Sequence, residues 1–253
     1  MSESINALMS LKGRTIVVTA GAVVAVTDIV PQPDQEFKYY QKEVPGRLHY
    51  YQGDVTNKEQ LEKTFDRIFT DHEIVHGIIT AAGICIDKPF LDHTWEDLQR
   101  QQAVNETGTF FAVQQTARRM KERGTKGSIL MICSQTAQHV SPGHQLTAYG
   151  GSKGFVWSFA RNLAHEFASD GIRVNTISPG YIATTMNLSI AARRPDLHRI
   201  FTEAPPMGRV GQPEDLKMAA LYLLSEGSSY VTGLDLVIDG GMSVSSGDFK
   251  STL

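Results

Sequence analysis

The sequence predicts an α/β domain with a doubly wound parallel sheet that lacks its first crossover helix. Three observations predict it. β-rich and helix-period segments alternate along the chain, the pattern of parallel strands joined through helices. The chain has 253 residues, room for one sizeable domain with a full core. No repeat and no low-complexity linker interrupts it, so residues 1–253 are expected to form a single domain with 1–12 as an N-terminal arm.

Thr15–Thr19 and Ala22–Thr27 are β-rich runs. Lys58–Thr70 carries Leu61, Phe65, Ile68 and Phe69 at helical spacing. Ile74–Thr80 reads as a buried strand, and Trp95–Arg123 as a long helix ended by Gly124. Ser128–Cys133 is a strand, Ala148–Ser169 a helix ended near Gly171, and Ile172–Ile177 a strand. Pro213–Ser225 is a helix begun by its proline, followed by the strand Asp235–Ile238. Ligands of such sheets bind outside the carboxyl ends of the strands. Asp28, Ala82, Ser134 and Gly180 fall at such ends if the strands are parallel.

The start of the pattern is irregular. Only Ala20-Gly21 separates the first two β-rich runs, whereas parallel neighbours ordinarily need a crossover of about a dozen residues. Between β-branched runs, Ala20-Gly21 reads as a tight hairpin turn. Either the second run pairs antiparallel or one run leaves its place in the sheet. A membrane span over Ile16–Val30 is not expected, since that segment is short and holds Thr19, Thr27 and Asp28.

The chemistry centres on Tyr149-Gly150-Gly151-Ser152-Lys153 at a helix start. A four-residue offset puts the phenol and the ammonium on one face. A cation beside a phenol favours phenolate, so Lys153 is expected to lower the Tyr149 pKa. A tyrosine so poised exchanges a proton with a carbonyl or alcohol oxygen. Ser134 closes the run Ser128-Ile129-Leu130-Met131-Ile132-Cys133, fifteen residues before Tyr149, where its hydroxyl can hold the substrate oxygen. Asn105 lies upstream in Val104-Asn105-Glu106-Thr107-Gly108.

With Asn, Ser, Tyr and Lys in that order, the chain resembles the short-chain dehydrogenase/reductase family from about Leu11 to Gly241. Thr80-Ala81-Ala82-Gly83 resembles the family's Asn-Asn-Ala-Gly turn with both asparagines replaced. Arg173-Val174-Asn175-Thr176-Ile177-Ser178-Pro179-Gly180 resembles its sixth strand and following turn. Tyr230-Val231-Thr232-Gly233 and Val237-Ile238-Asp239-Gly240-Gly241 resemble its C-terminal strand. The Ser-to-Tyr spacing is similar to that of fungal polyol and carbonyl reductases; the family's commoner spacing would put Thr136 in the place of Ser134.

The resemblance implies a Rossmann-like fold and reversible hydride transfer between NAD or NADP and a carbonyl or secondary alcohol, with polyols and sugar-like ketones among the candidates. Tyr149 would protonate the oxygen, Lys153 would hold the ribose, Ser134 would fix the oxygen and Asn105 would order a water relay to the lysine. Asp28, ending the second strand, would bind the adenosine ribose and favour NAD; otherwise it is a solvated carboxylate. Asp54-Val55 would contact adenine, although Asp54 could instead cap a helix. Ala81, Ala82, Gly83, Pro179 and Gly180 would border the cofactor. Ile182 and Thr184 would contact the nicotinamide carboxamide, unless Thr184 caps the next helix. The family's Thr-Gly-x-x-x-Gly-x-Gly turn, which holds the pyrophosphate at a helix N-terminus, has no counterpart here. The gap reads as a deletion relative to an active parent form. Two rivals follow: a binding protein of the same fold with impaired dinucleotide affinity, and a lyase or isomerase using the same tyrosine.

The formal net charge is −3 and no long basic cluster occurs, which argues against nucleic acid as a partner. Cys85 and Cys133 end apolar runs and read as small buried residues. No Cys/His spacing suggests a metal. His139 and His144, between Ser134 and Tyr149, are expected at the surface. Met1-Ser2-Glu3-Ser4-Ile5 lacks a basic start and an apolar core, so a cytoplasmic location is expected. Phe110, Phe111, Phe155, Trp157 and Phe159 extend beyond one apolar stripe on their helices, which with the resemblance predicts a homodimer or homotetramer.

Overall fold

The computed structural model describes residues 15–17, 23–184, 186, 187, 190, 194 and 197–245. Seven strands form one sheet in the order β3-β2-β1-β4-β5-β6-β7. They are β1 (Thr15–Val17), β2 (Val23–Asp28), β3 (Leu48–Gln52), β4 (Gly77–Thr80), β5 (Gly127–Ile132), β6 (Ile172–Pro179) and β7 (Asp235–Ile238). Every neighbouring pair is parallel. Among the described residues the helices with full bounds are α1 (Gln35–Glu43), α2 (Lys58–Asp71), α3 (Trp95–Gln102), α4 (Thr109–Arg123), α5 (Thr147–Phe167), α6 (His198–Glu203) and α7 (Glu214–Leu224).

β5 lies inside the sheet between β4 and β6, and its alternation separates two cores. Ile129 and Met131 face a cluster built with Phe65 and Ile68 of α2, Val113 and Met120 of α4, and Val156 and Ala160 of α5. Leu130 faces the opposite side, with Leu223 and Leu224 of α7. All three β5 side chains are fully buried, as a central parallel strand covered on both faces requires. α4 ends on Gly124, and the 3₁₀ turn Ala168–Asp170 that follows α5 ends on Gly171, both in the left-handed region, φ 62° and 70°, where glycine carries no Cβ penalty.

The structure overturns both alternatives offered for the first two runs, an antiparallel second run and a run displaced from the sheet. β1 and β2 are parallel, with Thr15 opposite Val23 and Ile16 opposite Val24. The Ala20-Gly21 turn itself lies outside the described residues. The usual crossover length assumes a return along a whole strand. Here the register demands a step back of only two residues and one strand across, roughly 8 Å, which six Cα-to-Cα steps of about 3.8 Å can span. Five residues, 18–22, separate the strands, too few for a crossover helix.

Three elements escaped the sequence pattern, among them the six-residue α6. α1 has no buried residue, so it carries no apolar stripe to detect; Asp34 caps it by accepting from the Phe37 N–H at 2.7 Å. β3 is a five-residue edge strand, Leu48-His49-Tyr50-Tyr51-Gln52, with only Tyr51 buried. The continuous helix expected over Trp95–Arg123 is interrupted by a π-helical segment, Ala103–Gly108. Segments of this kind break the hydrogen-bond ladder and often mark functional positions. Gly108 permits it locally: a Cβ there would sit 2.8 Å from Val55 Cγ2.

Candidate functional site

α5 begins two residues before Tyr149, so Tyr149 and Lys153 stand on successive turns of one face. Lys153 is 6% exposed; its Nζ donates to the Ile132 carbonyl at 2.8 Å and lies 5.8 Å from the Tyr149 ring centre. Ser134 leaves β5 in an extended conformation and caps a short 3₁₀ turn. Its Oγ accepts from the Thr136 N–H at 3.2 Å and from the Thr136 hydroxyl at 2.8 Å. Those contacts fill both acceptor positions of the serine and leave its own hydrogen for the Tyr149 side of the site. Thr136, the alternative to Ser134 by spacing, is thus its hydrogen-bond donor.

The electrostatics reverse one expectation. Burial drives the Tyr149 phenol up from its ordinary pKa, the Cys85 and Cys133 thiols push the same way, and the Ser134 hydrogen bond opposes them. Burial also pushes the Lys153 ammonium down. The lysine was expected to lower the phenol. In this dry setting desolvation penalises both charged forms, and the site without ligand favours a protonated phenol.

Asn105 sits in the π-helical segment, fully buried. Its Oδ1 accepts from the Ile84 N–H at 2.9 Å, and its Nδ2 donates to the Ile84 carbonyl and to Ser152 Oγ, each at 2.9 Å. Ser152 in turn donates to the Tyr149 carbonyl at 2.8 Å. Asn105 therefore ties the loop after β4 to the first turn of α5. A Cβ on Gly83 would lie 3.5 Å from Asn105 Oδ1 and 3.7 Å from Lys153 Nζ, so the glycine keeps the approach between them open.

Tyr149, Lys153, Ser134, Ala81, Gly83, Pro179, Gly180, Ile182 and Thr184 border one cavity of about 290 Å³ beyond the carboxyl ends of β4, β5 and β6. Gly180 admits no side chain, because a Cβ would lie 2.7 Å from the Asp239 Cβ. Ile182 is buried and bridges to Gly211. Thr184 is exposed and its Oγ1 accepts from the Asn187 N–H at 3.4 Å, so the rim residue also meets the following turn. A second, smaller cavity of about 80 Å³ is bordered by Val55, Ala81, Ala82 and Thr27. Asp28, Asp54 and Asn105 line neither. Asp28 is exposed at the carboxyl end of β2, its Oδ1 accepting from the Val30 N–H at 3.2 Å. Asp54 accepts from the N–H and hydroxyl of Thr56, at 2.8 and 2.7 Å; the cap of α2 is Asn57, not Asp54.

This layout fits the two ends of a dinucleotide unequally well with its middle. The nicotinamide end would find the larger cavity with Lys153 and the small turn Ala81-Ala82-Gly83. The adenine end would find Val55 and Ala82 below Asp28. The pyrophosphate between them has no glycine-rich turn in the sequence, and residues 18–22 lie outside the described structure.

Sequence reasoning missed the far wall of the cavity. His144, expected at the surface, has a side chain only 3% exposed and lies 2.6 Å from Asp87 Oδ2 through Nδ1. Burial pushes the Asp87 carboxyl up, but the His144 and Gln145 hydrogen bonds and the nearby Arg194 outweigh it and leave the group below its usual range. The 57-residue separation of the pair gives no local signal. Gln135, 2% exposed, could have been noticed from its place directly after Ser134. His139 is exposed as expected. Cys133 is buried and Cys85 half-buried, and no disulfide joins them. Among the described residues, no helix is long and apolar enough to cross a membrane and no cluster of three metal-binding side chains occurs.

The model of the enoyl-(acyl carrier protein) reductase family matches residues 15–243. The chain is 31% identical over 265 residues to the short chain dehydrogenases/reductase notP' of Aspergillus versicolor, covering 95% of this chain and 90% of that protein. It is 32% identical over 198 residues to the ribulose-forming D-arabinitol 2-dehydrogenase of Scheffersomyces stipitis, covering 78% and 71%. Its fold matches a crystal structure of a short-chain type dehydrogenase/reductase from Mycobacterium marinum with a TM-score of 0.88 at 32% identity, covering 94% of this chain and 99% of that one.

Proposed function

The chain belongs to the short-chain dehydrogenase/reductase family, and from that premise we propose that it oxidises a secondary alcohol of a polyol or sugar, or reduces the corresponding ketone, using the Tyr149 face. It is an NAD(P)-dependent oxidoreductase by family. The nicotinamide group supplies the hydride chemistry when bound; the protein supplies position and proton. Tyr149 gives its proton to the carbonyl oxygen in reduction and takes it back in oxidation. Ser134, its acceptor positions filled by Thr136, donates to the same oxygen. Lys153 holds the ribose and, once its ammonium faces bound ligand rather than the Ile132 carbonyl alone, favours phenolate. Asn105 fixes the loop after β4 and carries a water relay toward Lys153.

The observation that carries this reading is the convergence of Ser134, Tyr149 and Lys153 on one cavity beyond the strand ends. Pro179, Gly180, Ile182 and Thr184 would border the nicotinamide, Ala81, Ala82 and Gly83 the adjoining sugar and phosphate, and Asp54 and Val55 the adenine. Asp28, exposed at the end of a parallel β2, would accept from the ribose hydroxyls and disfavour a 2′-phosphate, so NAD is the proposed cofactor. The substrate class is supported by the arabinitol dehydrogenase among the relatives. Residues 1–253 are proposed as one domain, a homodimer or homotetramer acting in the cytoplasm.

The test is nicotinamide absorbance with D-arabinitol or D-ribulose at millimolar cofactor. Turnover with an absorbance change supports hydride transfer; turnover without one points to lyase or isomerase chemistry. A second reading, a binding protein with impaired dinucleotide affinity, is favoured by the five residues between β1 and β2, and calorimetry with NAD separates it.

A further inference from the structure

The wall of the larger cavity opposite Lys153 holds polar atoms that the hydride-transfer roles leave unused. Gln135 is 2% exposed. Its Nε2 donates to Ser141 Oγ at 3.3 Å and points a second hydrogen at Met242 Sδ at 3.7 Å. Its Oε1 has no partner among the described residues. His144 presents the same situation. Asp87 is an acceptor, so the His144 Nδ1 beside it carries the hydrogen, and in the tautomer that bears only that hydrogen the lone pair is at Nε2. That Nε2 is buried and unpartnered among the described residues. The ring is held in place, stacked on Phe201 at 5.5 Å between centroids and tilted against Tyr181 at 5.5 Å. The Tyr181 phenol approaches Ser141 without reaching hydrogen-bond geometry.

We propose that Gln135 Oε1 and His144 Nε2 form a hydroxyl-recognition subsite that selects substrates carrying further hydroxyl groups beside the reacting carbon. Both residues line the cavity of Ser134 and Tyr149, and Gln135 follows Ser134 directly in the chain. Two fixed acceptors call for two O–H donors. A vicinal polyol or a hydroxyketone brings them. An apolar ketone would leave both acceptors buried and unpaired, which is the physical basis of strong discrimination. The inference rests on the hydride-transfer reading for the location of the reacting carbon, but the subsite can be tested without turnover.

His144→Phe keeps the ring stack and removes Nε2; Gln135→Leu removes the amide acceptor. Each variant is compared with the parent on D-arabinitol and on 3-pentanol, which has one hydroxyl. The ratio of kcat/KM values, polyol over 3-pentanol, should fall by about 10- to 100-fold in each variant, with 3-pentanol itself changed by less than about threefold. Saturation-transfer NMR of D-arabinitol on the cofactor-free protein should show contact with the parent and its loss in both variants. If the parent turns nothing over, the hydride-transfer reading fails while the NMR arm still decides the subsite. Unchanged polyol contact and an unchanged ratio, or equal losses on both alcohols, would overturn the proposal.

Discussion

Thr136 Oγ1 donates to Ser134 Oγ at 2.8 Å. Two hydroxyls that compete for one role by spacing are therefore a donor and its acceptor, and only the serine keeps its own hydrogen to donate into the cavity. Ser134→Ala removes a donor aimed at the substrate oxygen and should lower kcat by roughly 10²–10³-fold. Thr136→Val removes one neutral hydrogen bond behind it and should cost about 2- to 12-fold. Steady-state kinetics check the order; a larger loss in the threonine variant would reverse the assignment.

Tyr149→Phe keeps the ring and removes the hydroxyl. The expected loss is roughly 10²–10⁴-fold in rate, the range for a missing general acid. Thermal unfolding should barely move. A variant that retains more than about a tenth of the activity would remove Tyr149 from the proton path.

Lys153 is buried, and its ammonium is held down by desolvation. A lysine whose folded pKa lies below its unfolded value of about 10.4 destabilises the fold at neutral pH, and this cost fades as pH rises toward that unfolded value. Lys153→Met should therefore abolish turnover yet raise stability at pH 7, with the gain shrinking by pH 10. Denaturant unfolding at the two pH values gives the sign; a variant less stable at pH 7 would mean that the Ile132 hydrogen bond outweighs desolvation.

Phe110 stacks on Phe159 at 5.1 Å between centroids, and Phe159 on Phe155 at 5.3 Å, joining α4 to α5, while Phe111 remains 41% exposed beside them. Burial of that surface against a second copy predicts a homodimer or homotetramer. Light scattering at micromolar protein should give a mass at least twice 27.9 kDa. A lone monomer would count against pairing through these helices.

The sequence between Thr19 and Gly21 offers no glycine-rich turn. Charge-assisted hydrogen bonds are worth about 1.5–3 kcal/mol each, and losing two weakens binding by roughly 10²–10⁴-fold. NAD affinity is expected to be millimolar or undetectable by calorimetry. Grafting a Gly-x-x-x-Gly-x-Gly turn and helix between Thr19 and Gly21 should restore it. Micromolar binding by the ungrafted chain would show that another segment holds the phosphates.

The sequence alone determined the parallel α/β class and most of the elements from α2 onward, though it ran α3 and α4 together and missed α6, and it offered Ser134, Tyr149 and Lys153 as a set, because strand alternation, helical spacing and a four-residue offset are local properties of the chain. It did not reveal α1 or β3, which bury almost nothing and so carry no periodic signal. Tertiary structure decided the rest. β1 and β2 pair in parallel because a short return suffices for their register, a distance no composition encodes. The phenol is driven up rather than down because burial, a property of the assembled cavity, penalises its charged form. Asn105 became a clamp only when a π-helical turn brought it to Ile84 and Ser152. His144 left the surface because Asp87, remote in sequence, meets it across the cavity at 2.6 Å, and a hydrogen bond between such distant residues exists only once the fold has closed the loop between them.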